Sequence, residues 1–199
     1  MIKSTSKEID SIRSIYSLRE LHDILEQHQE KHKLFVVYDI DLTIVLRNLY
    51  DDQDILIEPV ITKQLFHYML DQNIWFIFLT ARFYDTVCNA RKRNLDEMTE
   101  NIRETLFPIF QELGLDVSHH DKDDSPEIII KNDKGKCVGV EYRGILFGDK
   151  KGEIIKHYRK KYGITESHPH VIFVDDVDEY LKGAIKHVPG ITVLKRYIK

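Results

Sequence analysis

Three apolar runs in this chain stop abruptly at residues suited to binding or transferring an anion. Leu34-Phe35-Val36-Val37-Tyr38 ends in Asp39-Ile40-Asp41-Leu42-Thr43, Ile74 to Leu79 ends in Thr80-Ala81-Arg82, and Val171 to Val174 ends in Asp175-Asp176. Carboxylates a few ångströms apart repel strongly unless a cation lies among them. If the first and last runs are neighbours, Asp39, Asp41 and Asp175 converge. With no His or Cys beside them, the fitting cation is a hard, oxygen-seeking Mg²⁺. Lys151, or its neighbour Lys150, follows Phe147-Gly148-Asp149 and offers an ammonium to a phosphate, and Thr80 adds a hydroxyl. Metal, ammonium and hydroxyl together would neutralise the oxygens of a transferring phosphoryl group. In such a site Asp39 is the candidate nucleophile, forming an aspartyl-phosphate that splits one hard displacement into two easier ones. Asp41, two residues on, is placed to protonate the leaving group and then to deprotonate the hydrolytic water.

These groups need a scaffold that brings strand ends together. Apolar runs without alternation read as strands buried on both faces, and here they alternate with helical segments. Pro59 to Gln72 suits a helix, Pro being tolerated in the first turn. Lys151 to Tyr162 suits another, ended by Gly163, and a third runs from Asp176 to about His187. Ile145-Leu146-Phe147 and Ile191 to Leu194 are further strands. Residues 84 to 113 read as charged helix, interrupted near Pro108 and closed at Gly114, with loop at Asp121 to Pro126. Glu127 to Lys131 and Lys136 to Tyr142, joined by Asn132-Asp133-Lys134-Gly135, predict a β-hairpin. Apolar spacings of three and four from Ile9 to about Lys31 predict a helix before the first strand. The expectation is one α/β domain over 1–199, a Rossmann-like three-layer α/β/α fold with a mostly parallel central sheet. An N-terminal helix occupies 1–33, the core occupies 34–199, and a minimal cap or hairpin insert lies at about 119–143. In parallel sheets ligands sit outside the carboxyl ends of strands, where the loaded turns fall.

In order and spacing the four motifs, Asp39-x-Asp41-x-Thr43, Thr80-Ala81-Arg82, Lys151-Gly152 and Asp175-Asp176, resemble those of the haloacid dehalogenase superfamily of phosphohydrolases. The resemblance spans 34 to about 194. It implies Asp39 as nucleophile and Asp41 as general acid/base. It implies a Mg²⁺ site from Asp39, the backbone carbonyl of Asp41 and Asp175, with Asp176 or Asp178 in support. Thr80, Ala81, Arg82 and Lys151 would bind phosphate and substrate, Lys151 rather than Lys150 because Lys-Gly at a helix start is the commoner pattern. For Arg82 alone a structural salt bridge weighs equally, and Thr43 reads as a brace for its loop.

Other classes fit less well. The 33 acidic against 29 basic residues, net charge −4, argue against a nucleic-acid partner held by bulk charge. No run is long enough to span a membrane, and the N-terminus lacks the apolar stretch of a secretory signal, so a soluble cytoplasmic protein is expected. Export into a host by a route that reads another signal is compatible with that. Two cysteines, Cys88 and Cys137, suggest no disulfide framework and imply reduced thiols. A receiver domain carries its acidic residues in a different order, and the GxxxxGK[ST] of a P-loop nucleotidase is missing. A catalytically silent binding module on the same fold is the non-enzyme alternative. Short insertions after the first two motifs leave little cap, and small metabolites usually need one to exclude water. A phosphorylated protein, phosphotyrosine in particular, is therefore the expected substrate, with nucleotides and sugar phosphates as the alternative. Compact members of this superfamily from intracellular bacteria, some of them protein-tyrosine phosphatases, are similar in the same sense.

Overall fold

A computed structural model describes residues 12–47, 54–82, 88, 102–115, 128–142 and 144–198. The helix expected before residue 102, the loop at Asp121 to Pro126, residues 1–11 and Lys199 lie outside the described residues. The elements named here are numbered among the described residues alone.

The first strand, β1 (Ile12–Ile15), stands where a continuous helix was expected. It pairs in parallel with β10 (Thr192–Arg196), so the N-terminal segment is part of the central sheet. Ile12 and Ile15 satisfy a helical spacing of three, but a β-branched pair serves an edge strand equally well. The chain then turns at Ser17, whose hydroxyl accepts from the Arg19 N–H and starts α1 (Leu18–Gln27). That helix buries Leu18, Leu21 and Leu25 on one stripe.

Strand β2 (Leu34–Tyr38) is buried throughout. A short antiparallel pair follows, β3 (Val45–Arg47) with β4 (Asp54–Leu56), and then α2 (Pro59–Asp71) and β5 (Trp75–Thr80). A π-type turn over Ile102–Leu106 leads into α3 (Phe107–Glu112). Pro108 sits in the first turn of α3, where the π-type turn before it gives way to α-helix. The hairpin β6 (Ile128–Lys131) and β7 (Cys137–Tyr142) is present, followed by β8 (Ile145–Phe147) and α4 (Lys151–Lys161). A short α5 (Ile164–Ser167), β9 (His170–Asp175), α6 (Asp178–His187) and β10 complete the chain.

Among the described residues eight strands form one sheet in the order β1-β10-β9-β2-β5-β8-β7-β6, with parallel pairing except at β8-β7 and β7-β6, and β3 pairs with β4 separately. The hairpin is thus an antiparallel extension of the sheet edge through β7 and β8, where a small lid was expected. Successive residues of β2 supply opposite faces. Val36 and Tyr38 pack with Leu21, Phe66 and Phe110 under α1, α2 and α3, whereas Phe35 and Val37 pack with Ile154, Tyr158 and Leu181 under α4 and α6. The fold is the expected Rossmann-like α/β arrangement. No helix among the described residues is long and apolar enough to cross a membrane.

The cysteines correct a second expectation. Cys88 and Cys137 are joined as a disulfide, their Cα atoms 5.5 Å apart. A separation of 49 residues hides such a pair from any reading of spacing, because the fold alone brings the chain after β5 against the start of β7.

Candidate active site

The parallel register decides which strand ends meet. Tyr38 lies opposite Val174 on one side and Phe78 on the other, so the residues that follow arrive at one edge. The Asp39 N–H donates to the Val174 carbonyl at 2.9 Å, continuing the ladder by one step and setting Asp39 beside Asp175. Thr80 pairs with Phe147, and the Gly148 N–H donates to the Thr80 carbonyl at 2.9 Å, which carries the 148–151 turn to the same edge. Gly148 has φ 148°, and a Cβ there would stand 2.7 Å from the Val138 carbonyl oxygen. A Cβ on Gly152 would stand 2.3 Å from the Gly183 carbonyl oxygen, so only glycine allows α4 to approach α6 this closely at the turn that presents Lys151.

Asp39, Thr43, Thr80, Lys151 and Asp175 are all buried at this edge. The Lys151 ammonium donates to Asp39 Oδ1 and, at 2.8 Å, to Asp175 Oδ2, and it lies 4.3 Å from the centre of the Tyr180 ring. Asp175 Oδ1 accepts from the Val177 N–H at 2.8 Å. Carboxylate oxygens of Asp39, Asp175 and Asp176 lie within 4.8 Å of one another. Lys150, by contrast, is exposed and faces Asp149 at 3.4 Å. Asp178 faces Lys195 at 2.8 Å, away from the cluster. Tyr180 follows it on the first turns of α6.

One ammonium does not balance this cluster. Burial pushes the Asp39 carboxyl up to about 8, Lys151 opposing and Asp175 adding to the rise. Burial also raises Asp175, against the pull of Lys151 and the Val177 N–H, and raises Asp176, with Asp175 adding to it. Burial works against the Lys151 charge, but Asp39 and Asp175 outweigh it and hold the ammonium above its ordinary value. The site is therefore short of positive charge. Its metal-ligating groups among the described residues are carboxylates, a donor type that suits a hard divalent cation such as Mg²⁺.

Asp41 is held apart from that cluster by its side chain. Thr80 donates its hydroxyl to Asp41 Oδ2 at 3.0 Å and accepts from the Arg82 N–H at 3.0 Å. The Arg82 guanidinium forks onto Asp41, with Nε 2.8 and 3.0 Å from Oδ1 and Oδ2 and Nη2 2.5 Å from Oδ1. Arg82 and Thr80, expected to bind phosphate, therefore both hold Asp41 here, and the salt-bridge reading of Arg82 is the one the geometry fits. The Asp41 side chain is still 36% exposed. Ala81 stands between the two at intermediate exposure. The Thr43 hydroxyl donates to Asp39 Oδ2 over a long 3.4 Å, and the Asp39–Thr43 turn is closed by the Ile44 and Val45 N–H groups on the Ile40 carbonyl. Asp54 joins the arrangement from β4, its Oδ2 2.7 Å from Arg82 Nη1. Nothing in its spacing distinguishes it from Asp51 and Asp52, so sequence reasoning missed it.

A cavity of about 560 Å³ opens between α4 and α6 beside the cluster, lined by Lys150, Lys151, Tyr180 and Lys186 among others. It adjoins the buried carboxylates through Lys151 and Tyr180, and neither Asp39 nor Asp41 lines it. No model of a known protein family matches the chain, and a comparison with curated proteins finds no similar sequence.

Proposed function

We propose that the chain is a Mg²⁺-dependent phosphomonoester hydrolase of the haloacid dehalogenase type, working through an aspartyl-phosphate on Asp39. The observation that carries this reading is the convergence of Asp39, Asp175 and Lys151 at one sheet edge, with Asp41 oriented separately beside them. A nucleophilic carboxylate and an acid/base carboxylate need different surroundings; Asp39 lies in the buried cluster, where a bound cation would keep it ionised, and Asp41 lies outside it on Arg82 and Thr80.

In the first step an Asp39 oxygen attacks phosphorus and the bond to the leaving oxygen breaks, while Asp41 gives that oxygen its proton. In the second, Asp41 takes a proton from water as the water attacks the phosphorus of the acyl phosphate, releasing phosphate and restoring Asp39. Lys151 offers positive charge to the oxygens of the transferring group. Asp39, the Asp41 backbone carbonyl and Asp175 would hold Mg²⁺, with Asp176 the supporting carboxylate. When bound, the ion supplies the positive charge that Lys151 alone does not.

A protein substrate, phosphotyrosine in particular, suits the depth of the nucleophile. Asp39 is 3% exposed, and an aryl phosphate has the reach to meet it. The cavity between α4 and α6 supports the second reading, a small phosphorylated metabolite, since its volume lies within the range of small-ligand sites. A screen of phosphopeptides, nucleotides and sugar phosphates with Mg²⁺ separates them. Phosphotyrosine peptides are expected to show the highest kcat/KM. A higher value for nucleotides or sugar phosphates replaces the first reading with the second, and no turnover with any divalent metal removes the enzyme. Asp39→Asn should lower turnover by about 10³-fold or more while the protein stays folded, because an amide is no phosphoryl acceptor.

A further inference from the structure

Asp54 opens β4 in the short antiparallel pair that follows the Asp39–Thr43 turn, and its side chain is 1% exposed. Arg82 Nη1 lies 2.7 Å from its Oδ2 as an ion pair, neither Asp54 oxygen having a hydrogen bond of good geometry, and the same nitrogen donates to the Thr105 hydroxyl at 3.2 Å. The remaining edge of that guanidinium grips Asp41. Three segments distant in sequence thus meet on one planar cation.

We propose that Asp54 is a positioning residue, acting through Arg82 to aim the Asp41 carboxyl at the leaving-group oxygen. The proposal rests on Asp41 being the acid/base of the reaction described above. A buried carboxylate is costly, and an apolar residue of similar volume would serve the packing of β4 as well or better. What an apolar residue lacks is a hold on the far side of Arg82. The guanidinium is a rigid plane, so fixing it on one edge fixes the direction of its fork on the other. Asp41 itself is over a third exposed and precedes Leu42, whose φ of 56° marks a left-handed turn residue. Its side chain therefore depends on Arg82 and Thr80 for orientation, and misplacement by about 1 Å costs on the order of 10²-fold in rate.

Proton donation to the leaving group matters most when that group is a poor one. In Asp54→Asn, kcat/KM, which reports only the first, leaving-group-dependent step, should fall about tenfold for an alkyl phosphate such as a phosphoserine peptide and stay within about twofold for p-nitrophenyl phosphate. Arg82→Lys keeps a cation for Asp54 but no fork, and should give the same pattern if Asp54→Asn does not fold. Equal losses on both substrates, or no loss on either, would overturn the proposal. A readout independent of turnover is hydrogen exchange at the Arg82 Nε–H, followed by NMR. It should be protected in the wild-type protein and exchange at least about tenfold faster in Asp54→Asn. Unchanged protection contradicts the role of Asp54. Lost protection in a protein without phosphatase activity keeps the clamp and removes the reaction assigned to Asp41.

Discussion

Two charged clusters among the described residues are built differently. At one, Glu58 accepts from the Ser17 hydroxyl at 2.7 Å and the Leu18 N–H at 2.9 Å, and pairs with Arg196 at 2.8 Å. It ties the start of α1, the start of α2 and strand β10, with one carboxylate set against one guanidinium. At the other, three carboxylates lie together, Lys151 pairs with two of them, Asp39 and Asp175, and each of the three is pushed toward its protonated form. Structure alone favours the first pattern, because an unmatched buried charge destabilises. The second is understandable where a further cation and an anionic substrate are meant to enter.

Breaking the mismatched cluster should cost function first. Asp175→Ala should raise the Mg²⁺ concentration needed for half-maximal turnover by about tenfold or more, since a carboxylate donor is lost. A metal titration of activity checks this. The pH dependence of stability should also single out the mismatched cluster. Asp39 titrates near 3.8 when unfolded and about 8 when folded, so between those values the native state binds more protons than the unfolded one. Stability without metal is therefore expected to fall as pH rises from about 4 to about 8, and Mg²⁺ should restore it at the upper end. Thermal unfolding across that range with EDTA and with Mg²⁺ reads both effects.

The matched cluster should behave in the opposite way. Glu58→Gln leaves Arg196 buried without its carboxylate, and a cost of about 2 kcal/mol is expected after allowance for the partial exposure of Glu58. That corresponds to roughly 4–8 °C in Tm with kcat unchanged. Asp178→Asn is the smallest change. Its partner Lys195 lies on β10 and Asp178 itself is exposed, so neither Tm nor the Mg²⁺ requirement should move measurably. A shifted requirement would bring Asp178 back as a metal-supporting residue in place of Asp176.

The reactive edge is the part of this molecule that sequence exposes best. Leu34–Tyr38, Trp75–Leu79 and Val171–Val174 are apolar throughout because helices cover both faces of their strands, so the polar residues that end them stand out. Position within the edge was harder to read. Which of Asp176 and Asp178 faces the cluster depends on how the chain leaves β9, and Arg82 faces both Asp41 and Asp54 only because the fold brings β4 beside the Asp39–Thr43 turn. Strands of three residues such as β3 and β4 carry too little pattern to be recognised. β1 was obscured because four residues with Ile at both ends fit a helix as readily as an edge strand. The disulfide depends wholly on tertiary approach.

The proposed mechanism stands or falls on Asp39 carrying the phosphoryl group. During turnover of an aryl phosphate with Mg²⁺, borohydride should reduce the acyl phosphate, and mass spectrometry of the digested protein should find homoserine at position 39. Turnover that continues with Asp39 unlabelled, or label at another carboxylate, would contradict the account.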